Sequence, residues 1–449
     1  MATALIILAA GQGTRMNSDL PKVLHKVAGA PVLAHAMRTG ATLEPDRMVV
    51  VIGHEGEAVA RAAREVDEDV VTVTQGERLG TGHAVAQALP ALDGFAGKVL
   101  ILFGDTPLIR EETLRALASA PTDITVLGFE PTNPRRYARL IMSGDMLERI
   151  VEAKDATEDE RAISRCNGGL MAVDAALLRD LIPALSNENA AGEYYLTEIV
   201  ALARAKGRSA SVVLCDEGET LGVDTRAQLA QAEASFQARA RTEALENGVT
   251  LAAPETVFFA YDTAIGRDAV IGANVVFGPG VTVESGAEIL PFCHLEGCHI
   301  SRGARVGPFA RLRPGAELAE DVHVGNFVEI KNAILDEGVK VGHLTYLGDA
   351  HVGEHANIGA GTVTCNYDGV MKHRTEIGAN AFIGSDTMLV APVSVGAGAL
   401  TASGSVITEN VPENALAIGR ARQVVKPGLA RKLFDILKAE KARRQKEAK

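Results

Sequence analysis

A glycine-rich segment near the amino end contains residue types that bind phosphate. Residues 8–16 read LAAGQGTRM and include the cation Arg15. Glycine lets backbone N–H groups approach phosphate oxygens, and the arginine adds positive charge. Pro21 then stiffens the chain beside a second cation, Lys22. The segment lacks the Walker A spacing, and Met16 stands where a dinucleotide fingerprint would place its third glycine. It therefore predicts a nucleotide-phosphate site of another kind.

Two further loops extend this candidate site. Asp105 follows an apolar run at 99–103, and open α/β sheets bind ligands at the carboxyl ends of their strands. A carboxylate beside a polyphosphate indicates Mg²⁺, although a turn aspartate before Pro107 is the alternative. Gln75 and the GTGH loop at 80–83 follow another apolar run. They are suited to holding a base and a ribose through amide and backbone hydrogen bonds.

A second group of polar residues lies in the last third of the chain, where the repeat described below would otherwise place small or turn residues. This group comprises Arg311, Arg313, Lys331, His343, Tyr346, Asn357, Asn366 and Tyr367. An imidazole with the usual pKa of ~6.5 can accept a proton near neutral pH, so a histidine in such a group could act as a general base. Taken alone, His343 reads better as a solvated turn histidine.

The first 225 residues alternate apolar runs with helical patterns. Apolar runs at 5–8, 48–52, 70–73 and 99–103 predict strands, and the residues around 31–40 and 57–65 predict helices. Such alternation predicts a mostly parallel sheet with helices on both faces, an α/β Rossmann-like domain. Residues 226–247 lack proline and hold strong helix formers until Asn247-Gly248, which predicts one long helix between domains.

A hexapeptide repeat begins at about residue 263. An aliphatic or Phe residue followed by glycine recurs mostly at multiples of six, for example at Ile271, Phe277, Val341 and Ile383, with a small or β-branched residue four positions later. This pattern predicts a left-handed parallel β-helix, whose narrow coils also explain the low aromatic content. The repeat slips between Ile358 and Ile377, so residues 364–376 are expected to loop out.

The predicted domains are therefore residues 1–226, an α/β unit; 227–247, a helical linker; 248–425, the β-helix; and 426–449, a basic helical tail. The tail is expected to be a solvated amphipathic helix packed on its own coil or a neighbouring one rather than a polyanion site.

Composition excludes several classes of protein. The net charge of −12 over 449 residues argues against nucleic acid and anionic membrane as partners. No apolar stretch approaches the ~18 residues of a membrane span, and no cation precedes the first apolar run, so neither a span nor a signal peptide is expected. Five scattered cysteines indicate a reducing, cytoplasmic location. Cys293, His294, Cys298 and His299 are the one local cluster of potential zinc ligands. Since a zinc site needs four ligands at workable spacing and no second cluster lies nearby, core thiols are the better interpretation.

These motifs resemble the sugar-1-phosphate nucleotidyltransferases. With the β-helix, the chain resembles the family of bifunctional N-acetylglucosamine-1-phosphate uridylyltransferases and glucosamine-1-phosphate N-acetyltransferases over nearly its whole length. The matching segments are residues 8–16, 21–22, 80–83, 104–105, 192–195 and 222–224.

The resemblance implies a role for each matched residue of the first domain. UTP would contact Leu8, Ala9, Ala10, Gly11, Arg15, Lys22, Gln75, Gly80, Thr81 and Phe103. The acetylated sugar would contact Ala138, Glu152 and Asn167, and Mg²⁺ would lie between Asp105 and Asp224. Three positions depart from the family pattern, since Gln12 replaces a lysine, Ala138 a glycine and Asp224 an asparagine. The implied reaction is in-line attack of a sugar phosphate on the α-phosphorus of UTP.

In the second domain the resemblance makes His343 the catalytic base. It implies that Arg313, Lys331, Tyr346 and Asn357 bind the sugar phosphate, and that acetyl-CoA contacts Ala360, Asn366, Tyr367, Ser385, Ser403 and Arg420. Ser403 stands where the family usually has alanine. The resemblance also implies a homotrimer with sites between chains.

Two alternatives to a bifunctional transferase remain at this stage. One is a single-activity sugar nucleotidyltransferase whose β-helix only trimerises or senses a regulator. The other is a non-enzymatic hexapeptide scaffold that binds a nucleotide sugar without turnover. The polar set around His343 argues against the first, and the paired Asp105 and Asp224 argue against the second.

Overall fold

A computed structural model describes residues 2–53, 56–134 and 136–447 of the chain. It divides into two compact units, one ending at Gly297 and the other beginning at Cys298. Each unit is described by itself below.

The first unit begins with an α/β domain. Its strands are β1 Thr3–Ala9, β2 Lys26–Val27, β3 Ala30–Pro31, β4 Arg47–Gly53, β5 Val71–Gln75, β6 Lys98–Phe103, β7 Ile124–Phe129, β8 Arg139–Ser143, β9 Met146–Val151, β10 Cys166–Asp174 and β11 Ala210–Leu214. Its α-helices are α1 Val32–Ala41, α2 Glu57–Val66, α3 Thr81–Ala88, α4 Glu111–Ser119, α5 Glu158–Arg161, α6 Ala175–Leu181 and α7 Glu198–Ala205, and α8 Arg226–Glu246 follows. Short 3-10 helices span Thr14–Met16, Lys22–Leu24, Leu89–Leu92, Ile182–Ala184, Glu217–Thr220 and Pro254–Thr256.

The main sheet of this domain has the order β11-β7-β10-β6-β1-β4-β5, with the β8–β9 hairpin attached at β10. All seven residues of β1 are buried, because apolar clusters cover both faces of a central parallel strand. The predicted alternation of strands and helices is confirmed. However, β10 runs antiparallel to both β6 and β7, which its glycine-containing sequence did not reveal.

The predicted long helix is present as α8. Thr225 caps it, and its side chain accepts a hydrogen bond from the Gln228 backbone at 3.2 Å. Only Ala232 and Gln237 are buried along its length. The Gln237 amide pairs with both backbone groups of Phe259, at 2.7 and 2.8 Å, and so ties the helix to the chain that follows it.

Short parallel strands then stack coil upon coil. In the first unit they are β12 Thr250–Leu251, β13 Ala264–Ile265, β14 Val270–Ile271, β15 Val276–Phe277, β16 Thr282–Val283, β17 Glu288–Ile289 and β18 His294–Leu295. In the second unit they are β19 Cys298–Ile300, β20 Arg305–Val306, β21 Arg311–Leu312, β22 Ala316–Leu318, β23 His323–Asn326, β24 Glu329–Leu335, β25 Lys340–His343, β26 Tyr346–Val352, β27 Asn357–Ile358, β28 Val363–Cys365, β29 Thr375–Ile377, β30 Phe382–Ile383, β31 Met388–Val390, β32 Val393–Val395, β33 Leu400–Thr401, β34 Val406–Ile407 and β35 Leu416–Ala417.

The hexapeptide prediction is confirmed by the burial of its repeat positions. The aliphatic positions Val341 and Ile383 and the small positions Ala356 and Thr387 are at most 1% exposed. Identical positions of successive coils pair in parallel register, as Val324 does with Val341. The coils form a left-handed parallel β-helix.

The interruption of the repeat is shorter than predicted. We expected residues 364–376 to loop out, but β28 extends to Cys365 and β29 begins at Thr375. The hydroxyl of Thr364 also caps the Gly348 backbone at 2.7 Å, which keeps that residue in the coil. The projecting loop is therefore residues 366–374, closed by a bridge between Tyr367 and Lys372.

A final helix, α9, spans Leu429–Glu447, and its large apolar side chains, such as Leu433 and Phe434, are exposed in the single chain. Among the described residues, no helix combines the length and apolar character needed to cross a membrane. Cys166, Cys293 and Cys298 are buried, as expected for core thiols.

The adjacent residues Ile334 and Leu335 test how the coils are stabilised. Leu335 is fully buried, whereas Ile334 is 43% exposed on the same strand. We expect Leu335→Ala to lower the free energy of unfolding by about 2–5 kcal/mol, since it leaves a cavity in a narrow coil. Ile334→Ala is the matched control and should cost well under half as much. Denaturant titration measures the free energy of unfolding of both variants, and equal decreases would contradict the burial of Leu335.

Candidate active sites

One lysine joins the two predicted metal carboxylates of the first unit. The Nζ of Lys22 lies 2.5 Å from Oδ2 of Asp105 and 2.8 Å from Oδ1 of Asp224. The other oxygen of Asp224 lies 2.9 Å from Nη2 of Arg15. The side chain of Lys22 is only 10% exposed, so the central ammonium of this cluster is sheltered from water. Residues separated by about 200 positions thus form one charged group.

Backbone geometry brings these charges together. Asp105 lies just beyond the carboxyl end of β6, and its carbonyl accepts a hydrogen bond from the Val223 backbone at 2.9 Å, which holds Asp224 nearby. Gly13 has a φ of +66°, and a Cβ at this position would lie 2.5 Å from Cβ of Lys22. Glycine is therefore required where the phosphate loop passes the lysine.

The cluster favours the charged forms of Lys22 and Asp224. Burial disfavours the ammonium of Lys22, but the charges and hydrogen bonds of Asp105 and Asp224 outweigh it and raise the pKa of Lys22 above its usual value. Burial also opposes the charge on Asp224, yet Lys22 and Arg15 lower the pKa of this carboxyl. Because both carboxylates contact one ammonium, their oxygens face the same small volume around Nζ of Lys22.

A cavity of about 270 Å³ opens beside this cluster. It brings together nine of the predicted nucleotide-binding residues with Asp105: Leu8, Ala9, Ala10, Gly11, Lys22, Gln75, Gly80, Thr81 and Phe103. Arg15 does not line it and instead pairs with Asp224 at the rim. Its volume and its mix of backbone, amide and charged groups suit a nucleotide.

The loop that follows β5 is locked against the segment before α7. The Gly82 backbone donates to the Tyr194 carbonyl at 2.8 Å, and the Leu196 backbone donates to Oγ1 of Thr81 at 3.1 Å. Gly80 adopts a φ of +105°, where a Cβ would lie 2.6 Å from the Tyr194 carbonyl oxygen. The amide of Gln75 donates to the Gly80 carbonyl at 3.1 Å. These contacts give the cavity a rigid wall.

The three predicted sugar residues lie on neighbouring elements. The Asn167 backbone donates to the Ala138 carbonyl at 2.9 Å, and Oδ1 of Asn167 accepts from the Gly169 backbone at 3.0 Å. Glu152 accepts a hydrogen bond from Thr197 at 3.1 Å. Burial raises the pKa of Glu152, and the hydrogen bond from Thr197 only partly opposes this. Since burial disfavours the ionised form of Glu152, this carboxylate is suited to accept hydrogen bonds from sugar hydroxyls.

Sequence reasoning missed four residues of the cavity wall, namely Val23, Arg78, Ala84 and Glu193. Glu193 belongs to the GEYY segment, so its motif was available as a signal. Arg78 carried none, because it is an isolated arginine in a loop.

In the second unit, His343 opens onto a pocket of about 510 Å³ together with Asn357, Ala360 and Ser385. Its Nδ1 lies 2.8 Å from Oδ1 of Asn326, one coil away. An amide oxygen only accepts hydrogen bonds, so Nδ1 carries the proton and Nε2 keeps its lone pair. This geometry makes His343 an oriented base at an exposed edge of the β-helix.

Four predicted acetyl-CoA residues continue from this pocket in a row. The Asp386 backbone donates to the Ala360 carbonyl and the Gly404 backbone to the Ser385 carbonyl, both at 2.7 Å, so positions 360, 385 and 403 stack in successive coils. A Cβ on Gly404 would lie 4.0 Å from Cδ of Arg420, which places that arginine at the end of the row.

A cationic cluster, formed by Arg313, Lys331 and Lys372, lies along a different sheet of the β-helix. A hydrogen bond with Lys372 and the charges of Lys372 and Arg313 lower the pKa of Lys331, so these three cations lie close together. Arg313 is balanced by Glu329 at 2.8 Å. Asp349 accepts from Asn366 at 2.5 Å. Such a group of cations with adjacent amides is suited to bind a phosphate.

Near the cationic cluster, a Cβ on Gly348 would collide with both the Tyr346 hydroxyl and the Asn366 amide, so this glycine lets the two side chains converge. Lys372 was missed from the sequence, because it lies in the loop whose conformation the repeat does not specify. Tyr367 is exposed, and its hydroxyl donates to the Gly369 carbonyl at 2.6 Å.

The structure does not bring all acetyl-site residues together within one chain. His343 ends β25, which pairs with β23 and β27, whereas Lys331 and Tyr346 lie on β24 and β26, which pair with each other in another sheet. In the described part of the chain, no three His, Cys, Asp or Glu residues form a metal site by themselves. A metal at Asp105 and Asp224 would need ligands from substrate phosphates or water.

Comparisons with known proteins identify the first domain and then the whole chain. Residues 5–209 match the MobA-like NTP transferase domain, so the fold and cavity define a nucleotidyltransferase. Over nearly their full lengths, several curated relatives match both domains. The protein "Bifunctional protein GlmU" of Paracoccus denitrificans is 68% identical over 98% of each chain, and that of Cereibacter sphaeroides strain ATCC 17023 is 70% identical over 99% of this chain and 98% of its own. The corresponding protein of Ruegeria sp. strain TM1040 is 64% identical over 99% and 100%.

The chain belongs to the GlmU family. It is a bifunctional transferase with an acetyltransferase and a uridylyltransferase activity that together produce UDP-N-acetylglucosamine. Among solved structures, the inositol-1-phosphate CTP transferase from T. maritima aligns at 14% identity and a TM-score of 0.44 over 52% of this chain and 94% of that chain, a similarity too low to support a functional statement.

The strained ionisation of Glu152 predicts opposite effects on stability and activity. Its folded pKa is raised, so its charge destabilises the fold at neutral pH and above, and this penalty disappears as the pH falls below the unfolded value of ~4.3. We expect Glu152→Gln to raise Tm at pH 7–8 but not at pH 4, while raising KM for the sugar phosphate in uridylyl transfer. Glu65→Gln, at an exposed position on α2, is the control. A Tm gain that persists unchanged at low pH would contradict this assignment.

Proposed function

We propose that uridylyl transfer takes place in the cavity beside Lys22, and that the residues expected from the sequence perform it there. The observation that carries this proposal is the contact of Lys22 with both Asp105 and Asp224. A cation between two carboxylates, at the mouth of the cavity, balances their charge while no metal is bound. A metal held by the carboxylates would balance that charge instead and would leave Lys22 free for the phosphates. Gln75, Gly80 and Thr81 hold the base and ribose, and Glu152, Asn167 and Ala138 hold the sugar.

The two carboxylates fit Mg²⁺, which proteins usually bind through one or two carboxylates plus substrate phosphates and water. Asp105 and Asp224 would hold it, and when bound it would neutralise charge on the α-phosphate. Lys22 and Arg15 stabilise the pentacoordinate phosphorus and the leaving pyrophosphate. The sugar phosphate oxygen forms the new bond to phosphorus as the bond to pyrophosphate breaks. No side chain becomes covalently attached.

We further propose that acetyl transfer uses His343 as the base. Nε2 removes a proton from the amine of glucosamine-1-phosphate, whose nitrogen attacks the thioester carbonyl, and coenzyme A leaves as its thiol. Ala360, Asn366, Tyr367, Ser385, Ser403 and Arg420 hold acetyl-CoA, while Arg313, Lys331, Tyr346 and Asn357 hold the sugar phosphate. The hydrogen bond from Nδ1 to Asn326 supports this role because it directs Nε2 outward.

The acetyl site requires more than one chain in this proposal, which takes the assembly to be a homotrimer. His343 and Lys331 lie on different sheets of one prism, so a second copy must supply one half of the site. Phe309, Phe327 and Leu344 form an exposed apolar column beside the Asn326–His343 pair, at 47%, 55% and 61% exposure. The rings of Phe309 and Phe327 stack at 5.3 Å. A contiguous apolar surface of this kind favours burial between copies, and closed symmetry buries this surface on every copy.

We assign the protein to the cytoplasm, where UTP and acetyl-CoA occur.

Two single substitutions should separate the activities. We expect Asp105→Ala to lower uridylyl transfer by about 10²-fold or more with acetyl transfer retained, and His343→Ala to lower acetyl transfer by about 10²–10⁴-fold with uridylyl transfer retained. Asp93→Ala and His355→Asn are matched surface controls. The two reactions are followed by mass spectrometry with glucosamine-1-phosphate, acetyl-CoA, UTP and Mg²⁺. Loss of both activities from either folded variant would contradict the two-site proposal.

Mixed oligomers test whether chains share the acetyl site. His343→Ala and Lys331→Ala should each be inactive in acetyl transfer when alone. If one chain supplies the imidazole and its neighbour the cationic cluster, trimers that contain both variants regain about a third of the wild-type activity, because one of their three interfaces receives both intact halves. The two differently tagged variants are co-expressed and doubly purified. Activity that stays at the level of the single variants would show that one chain carries the whole site.

A further inference from the structure

Arg226 contacts both loops that carry the phosphate-binding cations. It is the first residue of α8 and lies two positions after Asp224. Its Nε donates to the Met16 carbonyl at 3.2 Å, and its Nη1 lies 3.2 Å from Nδ1 of His25. Nothing in the motif pattern pointed to this residue.

These two contacts reach the ends of two short turns. Met16 closes the 3-10 turn that contains Arg15, and His25 directly follows the 3-10 turn that contains Lys22. One guanidinium therefore joins three segments, which supply Arg15, Lys22 and Asp224. Those are the charges whose relative positions decide how phosphates and a metal are held.

His25 is suited to accept this contact because it is neutral. Its ring is buried, and both the burial and the charge of Arg226 lower the pKa of His25, while the Leu20 carbonyl only partly opposes them. Since a guanidinium can only donate hydrogen bonds, Nδ1 must be the unprotonated nitrogen. Nε2 then carries the proton, and this atom is buried without a hydrogen-bond partner among the described residues.

An apolar cluster supports the same three segments from behind. Met16, Val27, Val32 and Val223 are buried together there with Leu108 and Ala232. This packing holds the segments in place, whereas Arg226 itself is exposed. Removing Arg226 should therefore disturb the alignment of the charged groups more than the stability of the domain.

We propose that Arg226 and His25 are a positioning pair for uridylyl transfer, which together set the location of Asp224 relative to Lys22 and Arg15. The inference rests on the uridylyl site proposed above. Neither residue touches the reacting atoms. Because errors of about 1 Å in the placement of catalytic groups can cost about 10²-fold in rate, the pair should affect kcat even though it lies behind the site.

The test compares Arg226→Ala, His25→Leu and the double variant in the full-length enzyme. We expect each single change to lower kcat for uridylyl transfer by about 10–100-fold and to raise the Mg²⁺ concentration needed for half-maximal rate. The double variant should be no worse than the poorer single variant, because both changes break one interaction. His25→Asn places an amide oxygen where Nδ1 was and should restore most of the rate.

Controls separate positioning from stability. Arg47→Ala removes another guanidinium that bridges two backbone carbonyls, those of Ala91 and Asp93, at 3.0 and 2.9 Å. It should lower Tm without changing kcat per folded enzyme, and acetyl transfer should stay intact in all variants. The proposal is overturned if Arg226→Ala keeps the wild-type kcat and Mg²⁺ requirement, if the two single effects multiply in the double variant, or if His25→Asn is no better than His25→Leu.

The same experiment distinguishes failure of this inference from failure of the proposed site. If Asp105→Ala abolishes uridylyl transfer while Arg226→Ala is neutral, the site stands and only the positioning pair is wrong. If Asp105→Ala leaves uridylyl transfer intact, the proposed site itself is wrong, and with it the role of Arg226.

Discussion

The ion cluster of Lys22 with Asp105 and Asp224 is the constraint that organises the first unit. Two carboxylates in a sheltered crevice repel one another, and removing a charge from water is costly unless an opposite charge compensates it. Lys22 provides that compensation, but only if three distant segments meet. Three features hold these segments together: the left-handed Gly13 beside Lys22, the backbone hydrogen bond from Val223 to Asp105, and the contact between Arg226 and His25. The cavity beside the cluster is a consequence of the same geometry, because β6 ends where Asp105 turns outward.

A different constraint governs the second unit. Each coil of the prism accepts only small or aliphatic residues inside, which is why Ala356 and Thr387 are buried beside Val341 and Ile383. Polar chemistry must therefore lie on the outside, where one chain cannot enclose a ligand. Separate faces carry His343 and the Lys331 cluster, and neither face forms a closed site by itself. In the homotrimer we propose, packing against copies of the same chain would enclose a ligand between these two faces.

The sequence predicted whatever depends on periodicity or on a local motif. The parallel strands, α8 and the hexapeptide coils follow from patterns of buried residues. The glycine loop, Gln75 and Asp105 follow from local motifs and strand ends, whereas the other residues expected in the first cavity came from the family resemblance. The antiparallel β10 was not predictable, because pairing direction depends on partners far away in sequence. Lys372 and Arg226 were missed for the same reason, since each is an ordinary surface cation until a neighbouring segment gives it a partner. The loop at 366–374 was predicted too long, because the hydroxyl of Thr364 extends the coil by a contact that has no periodic signal.

The positions that depart from the family pattern show how such a site tolerates change. Asp224 is a carboxylate where the family usually has an amide, and this adds a negative charge next to Asp105. In this chain Arg15 and Lys22 both contact that carboxylate, at 2.9 and 2.8 Å, so the added charge is compensated before any ligand arrives. The compensation ties Arg15 to the rim and leaves the cavity wall to Lys22. A carboxylate at position 224 is therefore compatible with the metal site we propose, because Arg15 and Lys22 compensate its charge, and the alignment of these cations becomes the property that must be maintained.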